Sequence, residues 1–597
     1  MKNMRFSLIT AILLAMVISS VRIISPPRHA LSWDVFGYYL YLPATFIYHD
    51  PGLSNPEWLD EIMNTYQPSD TFYQLVKGKE SNRIIKYSSG LALLYAPFFF
   101  LAHFIASFTG YAADGFSLPY QYILSAGGIL WAIAGIFLLR KLLLKFFSDK
   151  VSMVVLLMVI AGTNYFHLAA LDGTLLTHNF LFTLYVILLQ FTIRWHEQPT
   201  WTIALAIGLS CGLMILIRPS EAVCVLIPLL WNTGTHVSRR LKLTQIRNNI
   251  GHIPIALAGG AFFVAIQLIY WKLFSDQWFF YSYDNPGEGF RFFPPYLLEF
   301  LFSFRKGWLI YTPLMIIALT GFYHFHKSFR PMFPAIIWFF IASLWIVSAW
   351  SCWWYAGGSF SARAIVPAYA VLSLPLGALL SSIKKKWIAP IGILITLFMV
   401  LNLFQSWQFT KGIIDKERMT RSYYFAIFGK TTINRTQLEP LLLVYRSTSM
   451  VEAPATLDKY TPEVLYDFQA EKETQNTPFL DSDYPFFQGL DRKYHELTDK
   501  DHFWIKLQAG VKVSEDFDGK PPLLVIAFHY KGDAYKYRAR PLIKTNEDSL
   551  LTVDYWYLSP EPRTKDDKLK VYLWNRDTVR MVPAYLHIEL WNPDQMP

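Results

Sequence analysis

Between Phe6 and Phe404 the sequence repeats one pattern: an apolar run of membrane-crossing length, then a short connection. A hydrocarbon core takes about 20 apolar residues per helix. After a first run, Phe6 to Ile24, further runs of that kind lie at about 120–139, 151–170, 175–193, 201–217, 220–235, 251–272, 307–323, 332–350, 364–383 and 387–406. Basic residues gather in every second connection. They are Arg140, Lys141, Lys145 and Lys150; Arg194; Arg239, Arg240, Lys242 and Arg247; Lys327 and Arg330; and Lys384, Lys385 and Lys386. About eleven spans with the N-terminus inside put all of these clusters in the cytoplasm, where positive charge is retained. Such a chain does not fold as a water-soluble globule.

Composition agrees. Of 597 residues, 53% are hydrophobic and only 16% charged, so the mean hydropathy of +0.26 is that of a multi-span membrane protein. The net charge of +10 is the footprint of topology and not of a nucleic-acid face. Cys211, Cys224 and Cys352 are scattered, with no disulfide framework or zinc spacing. The first run is read as a retained span, because Arg22 and then Ser25-Pro26-Pro27-Arg28 stand where a signal peptide would carry a small-residue cleavage site. Gly90 to Phe108 is nearly long enough to cross as well, but counting it would place every later basic cluster outside. With Pro97 interrupting it and His103 in its middle, it is expected as a juxtamembrane or re-entrant helix within a long first outer loop, 26–119.

After Phe404 the periodicity changes. Residues 1–406 are expected to form the membrane domain, 407–445 a linker and 446–597 a further domain. Pro522 to His529, Leu551 to Tyr557, Lys570 to Trp574 and Ala584 to Trp591 read as strands, with Asn575-Arg576-Asp577 as a hairpin turn. The expected fold is a polytopic α-helical membrane protein with a C-terminal extracytoplasmic β-sandwich. A bacterial inner (cytoplasmic) membrane is the expected location.

The outward side holds the residues one would choose for chemistry. Asp34 stands at the membrane edge in LSWDVFGYYLYLP, followed by Tyr38, Tyr39 and Tyr41. A carboxylate beside lipid is costly unless it has a partner or a task. Its plainer reading is helix capping by Ser32 or Asp34. The run RIIKYSSG brings Lys86 and Tyr87, and Asp172, His178 and Asn179 follow in the second outer loop. Arg218 lies at the next edge, and Asp276, Asp284, Glu288 and Arg291 in a later loop. WSCWWYAGGSFSAR supplies Trp353, Trp354, Tyr355 and Arg363. No nucleotide is expected on that side, and no glycine-rich phosphate loop is present. A transferase working there needs a donor delivered through the membrane, for which a polyprenyl-phosphate sugar serves. It needs one carboxylate to take the acceptor's proton, a role that fits Asp34. It also needs cations for the departing phosphate, which Lys86, Arg218, Arg291 and Arg363 would provide. The transition state would be oxocarbenium-like.

These residues resemble, in order and side, the GT-C superfamily of integral-membrane glycosyltransferases, above all its protein O-mannosyltransferase and lipid A aminoarabinose transferase branch. The resemblance covers about 1–405. It rests on Trp33-Asp34 before Gly37-Tyr38-Tyr39, Lys86-Tyr87-Ser88-Ser89-Gly90, Asp172, Arg218-Pro219, Trp353 to Phe360, and Arg363. It implies a GT-C-like fold, a lipid-linked sugar donor and the catalytic role for Asp34. Many members carry Asp-Glu or Arg-Pro-Asp in these loops, whereas here Val35 follows Asp34 and Ala170-Leu171 precede Asp172. That departure bears on a second catalytic role for Asp172 and leaves a divalent metal open.

Plainer readings stand beside each residue. Arg218 and Arg363 also read as snorkelling anchors, Lys86 as a solvated loop lysine, and His178 with Asn179 as mutually satisfied polar groups. Trp353, Trp354 and Tyr355 also read as an interfacial belt, while Tyr38, Tyr39, Tyr87 and His178 are assigned with them to a substrate cavity. The expected activity is inverting transfer of a sugar from a polyprenyl-phosphate donor to an envelope lipid, protein or polysaccharide, among membrane lipids and without nucleic acid. The rivals are a transporter or flippase of lipid-linked saccharides and a non-enzymatic glycan-binding membrane protein. A transporter would place polar groups at mid-membrane depth, whereas these gather at one face.

Overall fold

Proline and small residues decide which apolar runs become single helices. In the computed structural model the described residues are 5–26, 29–69, 72–283, 289–354, 358–446, 454, 456–472, 478–544 and 549–594. Among them, six helices are long and apolar enough to cross a membrane: Arg5–Ile24, Gly90–Thr109, Leu118–Leu143, His252–Ser275, Arg363–Ser382 and Lys385–Thr410. The chain is a multi-pass membrane protein.

Several of the expected spans are built from broken helices. The run at 151–170 is a pair, Asp149–Ile160 and Tyr165–Leu171, bent by 68°. The run at 220–235 is a 3-10 turn, Pro219–Val225, followed by a five-residue helix, Leu226–Leu230. The run at 307–323 breaks at Thr312-Pro313 between Trp308–Tyr311 and Leu314–Ser328, as expected where a proline removes a backbone donor. Gly90–Thr109 runs the other way: Pro97 does not interrupt it, and its 20 residues form one helix with the length and apolarity of a span. One missing donor is tolerable inside a helix whose neighbours cover the freed carbonyl. Hydropathy periodicity does not register that cover.

Trp201–Ile217 and His252–Ser275 cross in contact through small residues. A Cβ on Gly208 would meet the Ala256 carbonyl oxygen at 1.9 Å, and one on Gly212 the Gly260 carbonyl oxygen at 2.5 Å. In lipid, where burying apolar surface drives little, such backbone proximity is what holds helices together.

The chain divides into two compact units. One comprises Met1–Asp284, Phe290–Met419 and Gly429–Thr432; the other is mainly Ile433–Pro597. In the first, the segment after the first span folds into short helices, Asp34–Tyr39, Tyr41–Phe46 and Pro56–Tyr66, and an antiparallel pair, Leu75–Lys77 with Arg83–Ile85. Leu31, Phe36, Tyr39, Trp58, Tyr95 and Phe99 share its core.

The second unit is an antiparallel sandwich. Phe486–Lys493, Lys568–Trp574, Leu523–Tyr530 and Asp533–Pro541 form a four-stranded sheet in that order. Tyr460–Gln469, Val582–Pro593, Trp504–Lys512, Leu550–Leu558 and Ile543–Lys544 form a five-stranded one. Ile526, Phe528 and Val571 of the first sheet pack against Ile505, Leu507 and Ile588 of the second. Asn575-Arg576-Asp577 does not close a hairpin. The strands on either side belong to different sheets, and Asn575 donates to the Leu480 and Val579 carbonyls, fixing a crossover.

Candidate active site

Asp34 is the first residue of its short helix, and Trp33 before it has φ 54° and ψ −125°. That backbone is costly for a residue with a side chain, by about 1–3 kcal/mol. It is held by two hydrogen bonds: the Trp33 amide donates to the Pro68 carbonyl at 2.8 Å, and Gln74 Nε2 donates to the Trp33 carbonyl at 3.1 Å. The turn swings the Asp34 carboxylate toward the strand pair. There Tyr73 donates its hydroxyl to Oδ1 at 3.0 Å and Tyr87 donates to the same oxygen at 2.7 Å. Arg363 donates through Nη2 to Oδ2 at 3.0 Å.

The residue pair is asymmetric in exposure. The Asp34 side chain keeps 31% of its surface, the Arg363 side chain 13%, so the acid remains reachable while its cation is walled in. Burial, and after it the Asp34 charge, pushes the Tyr73 and Tyr87 hydroxyls far above the usual tyrosine range, so both are donors to the carboxylate. Gly37 makes the Tyr87 contact available: a Cβ there would lie 2.4 Å from the Tyr87 ring.

Arg363 is placed from behind. It opens a 3-10 turn, Arg363–Ala368, just after Ser361, whose φ of 57° lies in the left-handed region. Ser359 Oγ donates to the Ser361 carbonyl at 2.6 Å, and the Ser361 and Thr312 hydroxyls are 3.3 Å apart. The buried Lys306 amine donates to the Ser359 carbonyl and lies 5.1 Å from the Phe409 ring centroid. Lys306 sits in the connection between Leu297–Phe302 and Trp308–Tyr311. Burial first, then Arg363 and Arg305, bring its amine down to about 7.

Other sequence-selected residues fall in and around this arrangement. Tyr38 is buried against Tyr87, with ring centroids 4.4 Å apart, and its hydroxyl is within electrostatic reach of Arg218, Asp34 and Arg363. Arg218 lies beside His178, Nη1 to Nδ1 3.2 Å, and 3.9 Å from Glu221. Lys86 is buried with its amine 5.0 Å from the Tyr283 ring centroid and 5.9 Å from that of Tyr73, so it is not a solvated loop lysine.

Some residues go elsewhere. Tyr39 is buried among Tyr95, Phe99 and Phe116 and donates to the Gly115 carbonyl, away from the carboxylate. Arg291 lies over the Tyr296 ring at 5.5 Å, its amide on the Ala349 carbonyl. Trp353 is buried against Trp354, which faces the Arg305 guanidinium at 4.1 Å. Asn179 is structural, bridging the Gly128 and Thr174 carbonyls. Asp172 ends a π-helical turn, Leu168–Asp172, whose Leu171 carbonyl accepts from Arg22. The Asp172 side chain, Tyr355, Asp284 and Glu288 lie outside the described residues. Among the described residues, no three His, Cys, Asp or Glu side chains gather as metal ligands.

Tyr73, Lys306 and Tyr283 were not selected from sequence. None of the three has a local pattern to mark it; Lys306 follows Arg305 and reads with it as an ordinary basic connection.

No family model and no curated protein matches the chain. Among solved structures, the chain is similar to ArnT from Cupriavidus metallidurans. The apo form has a TM-score of 0.40 and 14% identity, over 64% of this chain and 62% of that one. The form bound to undecaprenyl phosphate gives 0.39 and 13%, over 64% and 63%. Oligosaccharyltransferase AglB from Archaeoglobus fulgidus, in complex with an inhibitory peptide and a dolichol-phosphate, gives 0.36 and 13%, over 76% and 61%. The chain spans less than two thirds of the length of each.

Proposed function

We propose that this protein is a membrane glycosyltransferase of GT-C type that moves a sugar from a polyprenyl-phosphate donor to an envelope acceptor on the outer face of a bacterial inner membrane. The observation that carries the reading is the partly exposed Asp34 carboxylate, held between the Arg363 guanidinium and the Tyr73 and Tyr87 hydroxyls.

That arrangement supports one course of reaction. An acceptor hydroxyl or amine attacks the anomeric carbon, passes its proton to an Asp34 oxygen, and the carbon–oxygen bond to the phosphate breaks with its electron pair on the phosphate. In the resting arrangement Asp34 Oδ2 accepts from Arg363. A donor phosphate that draws Arg363 to itself would stabilise the leaving group and release the carboxylate in the same movement. Arg218 and Lys86 would add positive charge, and inversion follows from one displacement with one carboxylate.

The test is sugar transfer by the purified protein in lipid, with a panel of polyprenyl-phosphate sugars and extracted envelope acceptors, wild type beside Asp34→Asn. Transfer by wild type alone supports reaction and base together. Equal transfer by both moves the base elsewhere, with Asp172 next to be replaced.

A further inference from the structure

Two arginines of the candidate site are paired in opposite senses. In the Asp34–Arg363 pair the acid is the more exposed partner, 31% against 13%. In the Arg218–Glu221 pair it is the cation, 20% against 10%. The first arrangement offers a carboxylate to a ligand, the second a guanidinium. Arg218 lies within electrostatic reach of Tyr38, as do Asp34 and Arg363, so it belongs to the same centre.

One helix holds both members of the second pair. His178 and Tyr185 are seven residues apart in Thr177–Glu197, two turns along one face. Arg218 Nη1 donates to His178 Nδ1 at 3.2 Å, and the Tyr185 hydroxyl donates to Glu221 Oε2 at 2.5 Å. Arg218 precedes the turn Pro219–Val225 and Glu221 stands within it, so the backbone brings the two side chains together. Yet Arg218 Nη1 and Glu221 Oε1 are 3.9 Å apart, beyond hydrogen-bond length.

Tyr185 accounts for that gap. It is fully buried, and its hydroxyl claims one carboxylate oxygen at short range. Among the described residues, no other side chain hydrogen-bonds or ion-pairs with the Glu221 carboxylate. A cavity of about 20 Å³ beside it, room for a single water, has Glu221 as its one charged lining group. The carboxylate is therefore shared between a neutral donor and a cation, and its bond to Tyr185 limits its hold on Arg218. An arginine keeps its charge wherever it sits, and a buried carboxylate is costly without a partner. In a medium of low dielectric, a carboxylate at this distance still offsets much of the guanidinium's pull on another anion.

We propose that Tyr185 and Glu221 are positioning residues that set how strongly Arg218 binds the phosphate of the lipid donor. Glu221 weakens the cation's pull, and Tyr185 limits that weakening by holding the carboxylate off. The inference rests on the transferase reading for the identity of the anion. A site that gripped the phosphate with the full strength of Arg218, Arg363 and Lys86 would keep it after the bond to the sugar breaks, and turnover would wait on release.

The experiment titrates full-length protein in detergent with undecaprenyl phosphate and, as the phosphate-free control, undecaprenol, reading bound lipid by native mass spectrometry. Wild type is expected to prefer the phosphate, and Arg218→Gln to lose much of that preference. Glu221→Gln removes the counter-charge and is expected to bind the phosphate about tenfold more tightly. Tyr185→Phe frees the carboxylate to close on Arg218 and is expected to bind it about tenfold more weakly. Undecaprenol binding should change in neither. Two variants of one contact that shift affinity in opposite directions are not explained by a merely structural role. Weaker binding in both, or unchanged binding in Glu221→Gln, overturns the proposal. If Tyr185→Phe does not fold, the direction of the Glu221→Gln shift decides. Phosphate preference that survives Arg218→Gln in full overturns the proposal alone and leaves the transferase reading standing. No phosphate preference in folded wild type overturns both.

Discussion

Arg363 closes an ion pair of 3.0 Å on Asp34 across 329 positions of sequence. Trp33, next to Asp34, and Ser361, two residues before Arg363, both have positive φ. Both halves of the contact are therefore held in place by local strain that the surrounding hydrogen bonds maintain.

Removing the acid's charge tests the base. Asp34→Asn is expected to lower the rate of transfer by about 10²–10⁴-fold with the protein level unchanged. Arg363→Gln is expected to lower it as well, and Arg363→Lys to restore little, since an ammonium lacks the guanidinium's paired donors. A rate for Arg363→Lys within twofold of wild type would refute the hand-over of Arg363 from carboxylate to phosphate.

Gly37→Ala places a methyl group 2.4 Å from the Tyr87 ring. The ring must move, taking its hydroxyl from Asp34, so transfer should fall by about 10-fold or more while the thermal midpoint changes little. Tyr87→Phe should match it. If Gly37→Ala is impaired and Tyr87→Phe is not, the tyrosine is not the route of the effect.

Lys306 gives a pH dependence of stability. Its folded value, about 7, lies below the ordinary lysine value of 10.5, so between those limits the unfolded chain holds a proton that the folded one lacks. Stability therefore rises with pH from 7 toward 10, by up to about 4 kcal/mol across the window, and is least below pH 7 where the charged amine stays buried. The thermal inactivation midpoint should climb over that range in wild type and climb less in Lys306→Met. Identical slopes would remove Lys306 as the cause.

Gly208→Ile fills the crossing of Trp201–Ile217 with His252–Ser275, where even one Cβ meets the Ala256 carbonyl oxygen at 1.9 Å. The expected outcome is a loss of folded protein in detergent extracts. The control Gly251→Ala, where a Cβ meets nothing within 4 Å, should extract normally.

What could be read in advance follows from what hydropathy and local pattern encode. Apolar runs and basic connections reveal a multi-pass helical unit, and alternation reveals the strands. Asp34 and Arg363 stand out because a charge at a membrane edge is rare and costly. Tyr73 and Lys306 act through tertiary placement, one beside the carboxylate and one behind Ser359, and nothing in their neighbours announces either. Pro97 misled because the cost of a proline depends on what packs around the freed carbonyl. Asn575-Arg576-Asp577 carries good turn chemistry, but turn chemistry does not say whether the next strand returns to the same sheet.

The separation of Asp34 from Arg363 also orders events during synthesis. The acid leaves the ribosome 329 residues ahead of its counter-ion. Until the turn Arg363–Ala368 has been made and seated, the nascent chain holds the acid without the guanidinium that completes the pair. A chain that stalls or is cut short before that point is a membrane protein with most of its helices and an Asp34 carboxylate that has no Arg363 to pair with.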